Sequence, residues 1–305
     1  KDASLRIPFN TSISMNLSGA VTTTTVEFSP KYKIDEVTLI DGVFSDTEKE
    51  RVVEHLDRIR KKAGMNLHAR VATKNSFPKS TGIASSASGF AALTVAAAGA
   101  LGLNLSEKEL TILARLGSGS ACRSIPDGFV KWKDTFAYSL YPAHYWDLRD
   151  ILVIVENTAK DVSSSAGHDL ASTSPYFSVR LGNLPERIAR VEVALKEKDF
   201  QKLGEAIEED SLDMHQVMQT QNPPLMYWND ATKILMDAAI SWRKNGLPVY
   251  FTIDAGPNVH LICEGKDEEG VVKVLRSRIP LRGTVKEVII NKPAAGTHLI
   301  GKHLF

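Results

Sequence analysis

Three segments rich in Gly and Ser stand where helices are expected to begin, and they are the first candidates for chemistry. They cover residues 82–88, 117–124 and 162–168. Backbone N–H groups at a helix start bind anions, serine hydroxyls add donors, and Gly lets a phosphate approach the backbone closely. Ser is also the usual N-cap, so capping explains any one segment alone. Three segments in one chain, one of them with Arg123, favour a polyanionic ligand, since Arg suits bidentate contact with carboxylate or phosphate.

The spacing of these segments excludes the two commonest phosphate-binding motifs. The chain has no Gly-x-x-x-x-Gly-Lys-Ser/Thr string, as in a Walker P-loop. It also has no Gly-x-Gly-x-x-Gly after a strand, as in a dinucleotide-binding fold. The predicted phosphate site therefore belongs to another design.

The loop Asp254-Ala-Gly-Pro-Asn258 is the second candidate. It can be read as a plain turn between two apolar strands, because all five residues suit turns. Asp254 also ends the apolar run Tyr250–Ile253, so we expect its carboxylate to be partly desolvated. Beside bound phosphates, such a carboxylate could take the proton of a substrate hydroxyl. Both readings stay open from the sequence alone.

Histidine and cysteine give weaker signals. No His pair has metal-ligand spacing, which argues against a zinc site. His215 and His260 are expected to be packed rather than catalytic, whereas His168 is retained because it adjoins the serines at 163–165. Cys122 could be a nucleophile, but packing is favoured because no partner His is identifiable.

Composition limits the class of protein. The 305 residues suggest two domains, and 43% hydrophobic residues exclude global disorder. A formal charge of +1 argues against a protein that binds nucleic acid or an acidic membrane through bulk charge. Residues 80–106 carry no charge, but their Ala and Ser content favours a buried helix of a soluble protein over a membrane span. Two cysteines outside any Cys-x-x-Cys pair are typical of a reducing, cytoplasmic compartment.

The elements that must position these residues alternate between strands and helices. Strands are predicted over 5–15, 21–28, 37–40, 67–73, 151–155, 248–253, 259–263 and 285–290. Helices are predicted over 45–62, after the segment at 82–88, over 106–117, 200–218 and 268–277. The pattern restarts near residue 148, so we predict an α+β protein with domains 1–147 and 148–305, each with a largely antiparallel sheet.

Several of these strings resemble one family. Phe77–Leu93 is similar to the phosphate-binding motif of the GHMP small-molecule kinase superfamily. Gly117-Ser-Gly-Ser-Ala-Cys-Arg-Ser124 resembles its mevalonate diphosphate decarboxylase branch. That branch also agrees with the strings at 6–14, 128–132, 173–175, 227–228 and 254–260, so the resemblance covers nearly the whole chain.

The resemblance implies a fold and a reaction. The expected fold has an N-terminal half like the second domain of a small-ribosomal-subunit protein and a ferredoxin-like C-terminal half, with the active cleft between them. Homodimers are usual in the family. The expected reaction uses ATP to phosphorylate the 3-hydroxyl of mevalonate 5-diphosphate. Loss of that phosphate with carbon dioxide then gives isopentenyl diphosphate in isoprenoid synthesis.

The resemblance also implies residue roles. Asp254 would orient or deprotonate the 3-hydroxyl, and Arg123 would anchor the C1 carboxylate. ATP and Mg²⁺ would be held by the start of the long helix, with Ser86 as the metal contact; the residues are Gly82, Ala84, Ser85, Ser86 and Ser88. The phosphorylated substrate would be held, besides Arg123, by Ser120, Ser164, Ser165 and His168.

The chain departs from the family pattern in three ways. The family's Lys-Tyr-Trp-Gly-Lys segment is expected upstream of Lys1, and the link after Trp132 is short. His168 stands where Met is common, next to phosphate-contacting serines. A decarboxylase of mevalonate 5-phosphate therefore remains an alternative, as does a 3-kinase that phosphorylates without decarboxylation.

Overall fold

The computed structural model of the chain describes two compact units. The described residues are 5–77, 85–156, 170–277 and 285–305. The first unit comprises 5–77, 85–145 and 294–305, and the second comprises 146–156, 170–277 and 285–293. The boundary after residue 147 stays a prediction, and it did not anticipate that residues 294–305 join the first unit.

Two three-stranded sheets build the first unit. Its strands are β1 (Ser12–Met15), β2 (Thr22–Phe28), β3 (Glu36–Leu39), β4 (Ala69–Asn75), β5 (Phe129–Lys133) and β6 (Phe136–Tyr141). The order β1–β5–β6 is antiparallel throughout, whereas in β2–β4–β3 the β3 strand runs parallel to β4. The first strand is shorter than the predicted 5–15. Pro8 lies in the part that does not pair, and it has no N–H to give to a strand ladder.

The helices of the first unit are α1 (Asp46–Ala63), α2 (Ser85–Ala100) and α3 (Glu107–Gly117), followed by the 3-10 helix Gly119–Ser124. Local sequence sets where α1 and α3 begin. Ser45 and Ser106 each form a capping box with the Glu three residues later, as the sequence predicts. The chain after residue 293 returns here, where Thr297 N–H donates to the carbonyl of Ser124 at 2.9 Å.

The helix α2 lies in the core of the first unit. Its small side chains let neighbours approach closely, and Ala91, Leu93 and Ala97 are buried with Leu56 of α1 and Val71 of β4. The prediction of a buried, small-residue helix is confirmed. In the described ranges no helix combines the length and the apolar character needed to cross a bilayer.

The second unit contains one antiparallel sheet and four helices. The sheet order is β10 (Glu287–Asn291), β7 (Leu148–Ile154), β9 (Val259–Glu264) and β8 (Tyr250–Thr252). Every residue of β7 is buried, as its apolar run predicts. The helices are α4 (Phe177–Glu197), α5 (Phe200–Thr220), α6 (Asp230–Lys244) and α7 (Glu268–Ser277). Helix α5 packs against β8, and a Cβ at Gly204 would lie 2.0 Å from the ring of Tyr250. Helices and sheets in both units confirm the predicted α+β class.

Candidate active site

The start of α2 meets the start of the 3-10 helix. Ser86 is exposed, and its Oγ lies 3.2 Å from Oγ of Ser118, which follows the last residue of α3. Two of the three predicted Gly/Ser segments are therefore neighbours, although 32 residues separate these serines. Ser85 is half-buried beside Ser86. Gly82 and Ala84, predicted to belong to the same phosphate-binding loop, lie outside the described residues.

Ser88 is engaged within the protein. Its Oγ lies 2.7 Å from Oγ1 of Thr22, which in turn donates to Oδ1 of Asn75 at 2.7 Å. Ser88 also donates to the carbonyl of Ser85 at 3.3 Å. The hydroxyl thus ties α2 to β2 and β4. Its predicted contact with ATP phosphates stays a prediction.

Arg123 lies on the 3-10 helix and reaches the β1–β5 sheet. Its Nε donates to Oγ of Ser14 at 3.0 Å, and its Nη1 donates to Oγ of Ser12 at 2.5 Å. The centre of its guanidinium is 5.7 Å from the ring centroid of Trp132 on β5. The side chain is half-buried, with a direction fixed by two hydroxyls and an aromatic face.

Cys122 is a packing residue, as the sequence analysis favours. It is buried with Val130, Trp132 and Ala137, and its Sγ–H donates to the carbonyl of Gly119 at 3.2 Å. Burial raises the pKa of the thiol to about 12, which disfavours the thiolate that a nucleophile requires.

Asp254 stands on an exposed loop whose flanks are fixed. The expectation of a partly desolvated carboxylate is wrong for the free chain, because Asp254 is exposed just after the buried Ile253. Thr232 of α6 donates to the carbonyl of Pro257 at 2.6 Å. Oδ1 of Asn258 accepts from the backbone N–H groups of residues 155 and 156, at 2.9 and 3.2 Å. The loop therefore has little freedom at its far end.

The near end of the loop is clamped by α5. Ser211 Oγ accepts from Ile253 N–H at 3.0 Å and donates to the Ile253 carbonyl at 3.3 Å. Nε2 of His215 donates to the same carbonyl at 3.2 Å. Burial lowers the pKa of His215 to about 4, so its ring is neutral near pH 7. These two side chains, one helical turn apart, hold the residue before Asp254.

His260 is paired within the sheet. Its Nδ1 lies 2.8 Å from Oδ2 of Asp150, and both residues are buried. Burial by itself opposes protonation, but the Asp150 carboxylate outweighs it and raises the pKa of His260 to about 9. The expectation that His215 and His260 are packed is confirmed.

The predicted substrate contacts are only partly within the described residues. Ser120 is half-buried on the 3-10 helix, two residues after Ser118. Ser164, Ser165 and His168 lie outside the described residues. The segment that contains them follows Glu156, whose N–H is bound by Asn258.

Sequence reasoning missed the residues that support the predicted ones. They are Ser12, Ser14, Ser118, Ser211 and His215 in this supporting role. Two local signals could have drawn attention to four of them. Ser12 and Ser14 are spaced so as to share one face of a strand, and Ser211 and His215 so as to share one face of a helix. Their targets are distant in sequence and carry no local signal.

Magnesium would find oxygen donors rather than a carboxylate cage here. Within the described ranges no three His, Cys, Asp or Glu residues are grouped so as to hold a metal. Mg²⁺ usually keeps several waters and binds through one or two protein groups together with substrate phosphates. The exposed hydroxyl of Ser86, at the start of a helix, fits that mode.

Comparison with known proteins gives concordant results. Residues 1–139 match the family model described as the diphosphomevalonate decarboxylase-like N-terminal domain. Residues 151–300 match the mevalonate 5-diphosphate decarboxylase C-terminal domain. Diphosphomevalonate decarboxylase of Aspergillus fumigatus is 33% identical, over 91% of this chain and 76% of that protein.

Solved structures agree. The crystal structure of mevalonate diphosphate decarboxylase from Staphylococcus aureus has a TM-score of 0.89 and 36% identity, covering 97% of this chain and 91% of that one. A structure described as MDDEF in complex with MVAPP, AMPPCP and magnesium has a TM-score of 0.86 and 35% identity, covering 96% and 91%. These likenesses confirm the predicted two-domain GHMP kinase fold. Both halves of the chain match the same family, and the chain is an enzyme that belongs to the diphosphomevalonate decarboxylase family.

Proposed function

We propose that this chain decarboxylates mevalonate 5-diphosphate with consumption of ATP, giving isopentenyl diphosphate, ADP, phosphate and carbon dioxide. The curated relatives are named for this activity, and a similar structure holds MVAPP with AMPPCP and magnesium. One observation in this chain carries the proposal. A single 3-10 helix follows Ser118, whose hydroxyl meets that of Ser86, and carries Arg123 near its other end.

The first step is phosphoryl transfer to the 3-hydroxyl. The start of α2, with Ser85 and Ser86, is suited to hold ATP phosphates through N–H groups and hydroxyls. Ser86 would also contact Mg²⁺, which neutralises phosphate charge when bound. Gly82, Ala84 and Ser88 are proposed to complete this cradle.

Asp254 is proposed to act on the hydroxyl that is phosphorylated. The substrate's 3-oxygen forms a bond to the γ-phosphorus as the bond from that phosphorus to ADP breaks. The hydroxyl proton passes to the Asp254 carboxylate, whose exposure lets it reach a bound ligand. The clamp by Ser211 and His215 fixes the backbone from which it projects.

Arg123 is proposed to bind the C1 carboxylate during the second step. The C3–O bond breaks with phosphate as leaving group, the C1–C2 bond breaks, and the electron pair of C1–C2 becomes the C2=C3 double bond. Carbon dioxide leaves from the carboxylate. A guanidinium with a fixed direction keeps the carboxylate aligned while positive character develops at C3.

The remaining contacts are proposed from the family. Ser120, Ser164, Ser165 and His168 would hold the 5-diphosphate. We also propose a homodimer in the cytoplasm, since the two cysteines of the sequence form no pair typical of a secreted framework.

The proposal is tested by measuring ADP and carbon dioxide release with three compounds side by side: mevalonate 5-diphosphate, mevalonate 5-phosphate and mevalonate. We expect equal amounts of ADP and carbon dioxide from the diphosphate. Carbon dioxide mainly from the monophosphate would contradict the diphosphate assignment, and ADP without carbon dioxide would indicate a kinase.

The role of Asp254 is tested by Asp254→Asn, which keeps the shape and removes the base. We expect kcat to fall by about 1,000-fold or more, in the range that loss of a proton acceptor gives. Asp237→Asn, at an exposed position on α6, is the matched control and should retain activity. Unchanged turnover of the Asp254 variant would remove it from the mechanism.

A further inference from the structure

Arg123 is held by groups that carry no charge. Ser12 and Ser14 lie two residues apart on β1, so both side chains point to one face of the sheet. Ser12 stands opposite Trp132 in the β1–β5 register, which puts the indole on that same face. The guanidinium thus rests on a surface made of two hydroxyls and an aromatic ring.

Other arginines of this chain are held differently. Arg60 makes two contacts of 2.8 Å with Asp35 and one of 2.6 Å with Asp57. Arg187 contacts Asp213 at 2.7 Å and Glu209 at 2.9 Å. In these pairs the carboxylates balance the positive charge, as a stabilising ion pair requires.

The difference has a chemical consequence. A hydroxyl accepts a hydrogen bond from a guanidinium and fixes its direction, but it adds no negative charge. A carboxylate in the same place would fix the direction too, and it would compete with an incoming carboxylate for the same cation. Hydroxyl support is therefore the arrangement suited to an arginine that must bind an anion.

We propose that Ser12 and Ser14 are positioning residues that orient Arg123 for a substrate carboxylate while leaving its charge available. The inference rests on the proposed function, in which Arg123 binds the C1 carboxylate. The anchoring of the 3-10 helix supports it, because the buried Cys122 next to Arg123 fixes the backbone on the same sheet. Backbone and side chain are then both set before the ligand arrives.

The test compares Ser12→Ala, Ser14→Ala and the double variant with Ser12→Thr and Ser14→Thr, which keep the hydroxyl and suit a strand. KM is measured separately for mevalonate 5-diphosphate and for ATP. We expect about a 10-fold rise in KM for mevalonate 5-diphosphate for each Ala change, the effect of losing one hydrogen bond to a charged group. KM for ATP should change less than about 2-fold on this reasoning, and each Thr variant should restore most of the loss.

Ser139→Ala is the matched control in the same sheet. Ser139 is exposed on β6, and its hydroxyl donates to the carbonyl of Tyr141 at 3.1 Å. It should leave both KM values unchanged. A double Ala variant with normal KM for mevalonate 5-diphosphate, whatever its melting temperature, would show that the serines are merely structural and would overturn the inference. A wild-type chain that releases no carbon dioxide would instead contradict the proposed function. Binding of mevalonate 5-diphosphate by calorimetry then decides the inference, because weakened binding in the Ala variants supports it and equal binding refutes it.

Discussion

The change Ser211→Ala tests whether the clamp on Ile253 governs Asp254. Ser211, His215 and Ile253 are all buried, with exposed fractions of 3%, 0% and 1%. The change removes the acceptor of the Ile253 N–H and one donor to its carbonyl, whereas His215 still binds the carbonyl. A buried N–H that loses its acceptor costs about 2 kcal/mol. For a domain of this size that corresponds to a fall in melting temperature of about 4–8 °C.

Catalysis should suffer more than binding. Asp254 follows the released residue, and a displacement of about 1 Å of a reacting group can cost about 100-fold in rate. We expect kcat to fall by about 10- to 100-fold, with both KM values within about 2-fold, since the serine itself contacts no substrate. Steady-state kinetics with thermal unfolding on the same preparation give both quantities.

Ser174→Ala is the matched control. Ser174 is a buried serine of the same unit, its Oγ lies 2.7 Å from Oγ1 of Thr220, and it accepts from the N–H of Tyr176 at 3.1 Å. We expect a similar loss of stability with normal kcat. If Ser211→Ala keeps full kcat despite lower stability, or if Ser174→Ala loses kcat equally, the clamp does not position the base.

Two further predictions concern a pair of histidine and aspartate and a glycine. The pKa of His260 is about 9 in the folded chain and 6.5 ordinarily, so the His260–Asp150 pair stabilises fully below pH 6.5. The free energy of unfolding by urea should therefore decline as pH rises from 6.5 to 9, and His260→Gln should flatten that decline; a flat wild-type profile would count against the pair. A Cβ at Gly117 would lie 2.2 Å from the ring of Phe90, so Gly117→Ala should cost about 1–3 kcal/mol and raise KM for ATP by moving Ser118. Gly89→Ala, where a Cβ meets nothing within 4 Å, is the control, and equal KM values in the two variants would contradict the reasoning.

Much of the local structure could be predicted from the sequence. The capping boxes at Ser45 and Ser106 form as predicted because a capping box involves residues only three apart. The buried character of β7 follows from its own apolar run. The extent of the first strand could not be read in this way, because a strand exists only where a neighbour pairs with it, and β5 pairs with residues 12–15 alone.

The chemistry of the candidate site divides along the same line. The sequence by itself determined the family, the Gly/Ser segments and the choice of Arg123 and Asp254, because these are strings of consecutive residues. Only the tertiary structure decided that Ser14 supports Arg123 across 109 positions and that Ser211 holds Ile253 across 42. It also decided that Asp254 is exposed although an apolar run precedes it. Such contacts depend on strand register and helix packing, and the residue types at the two ends do not encode which distant partner they will meet.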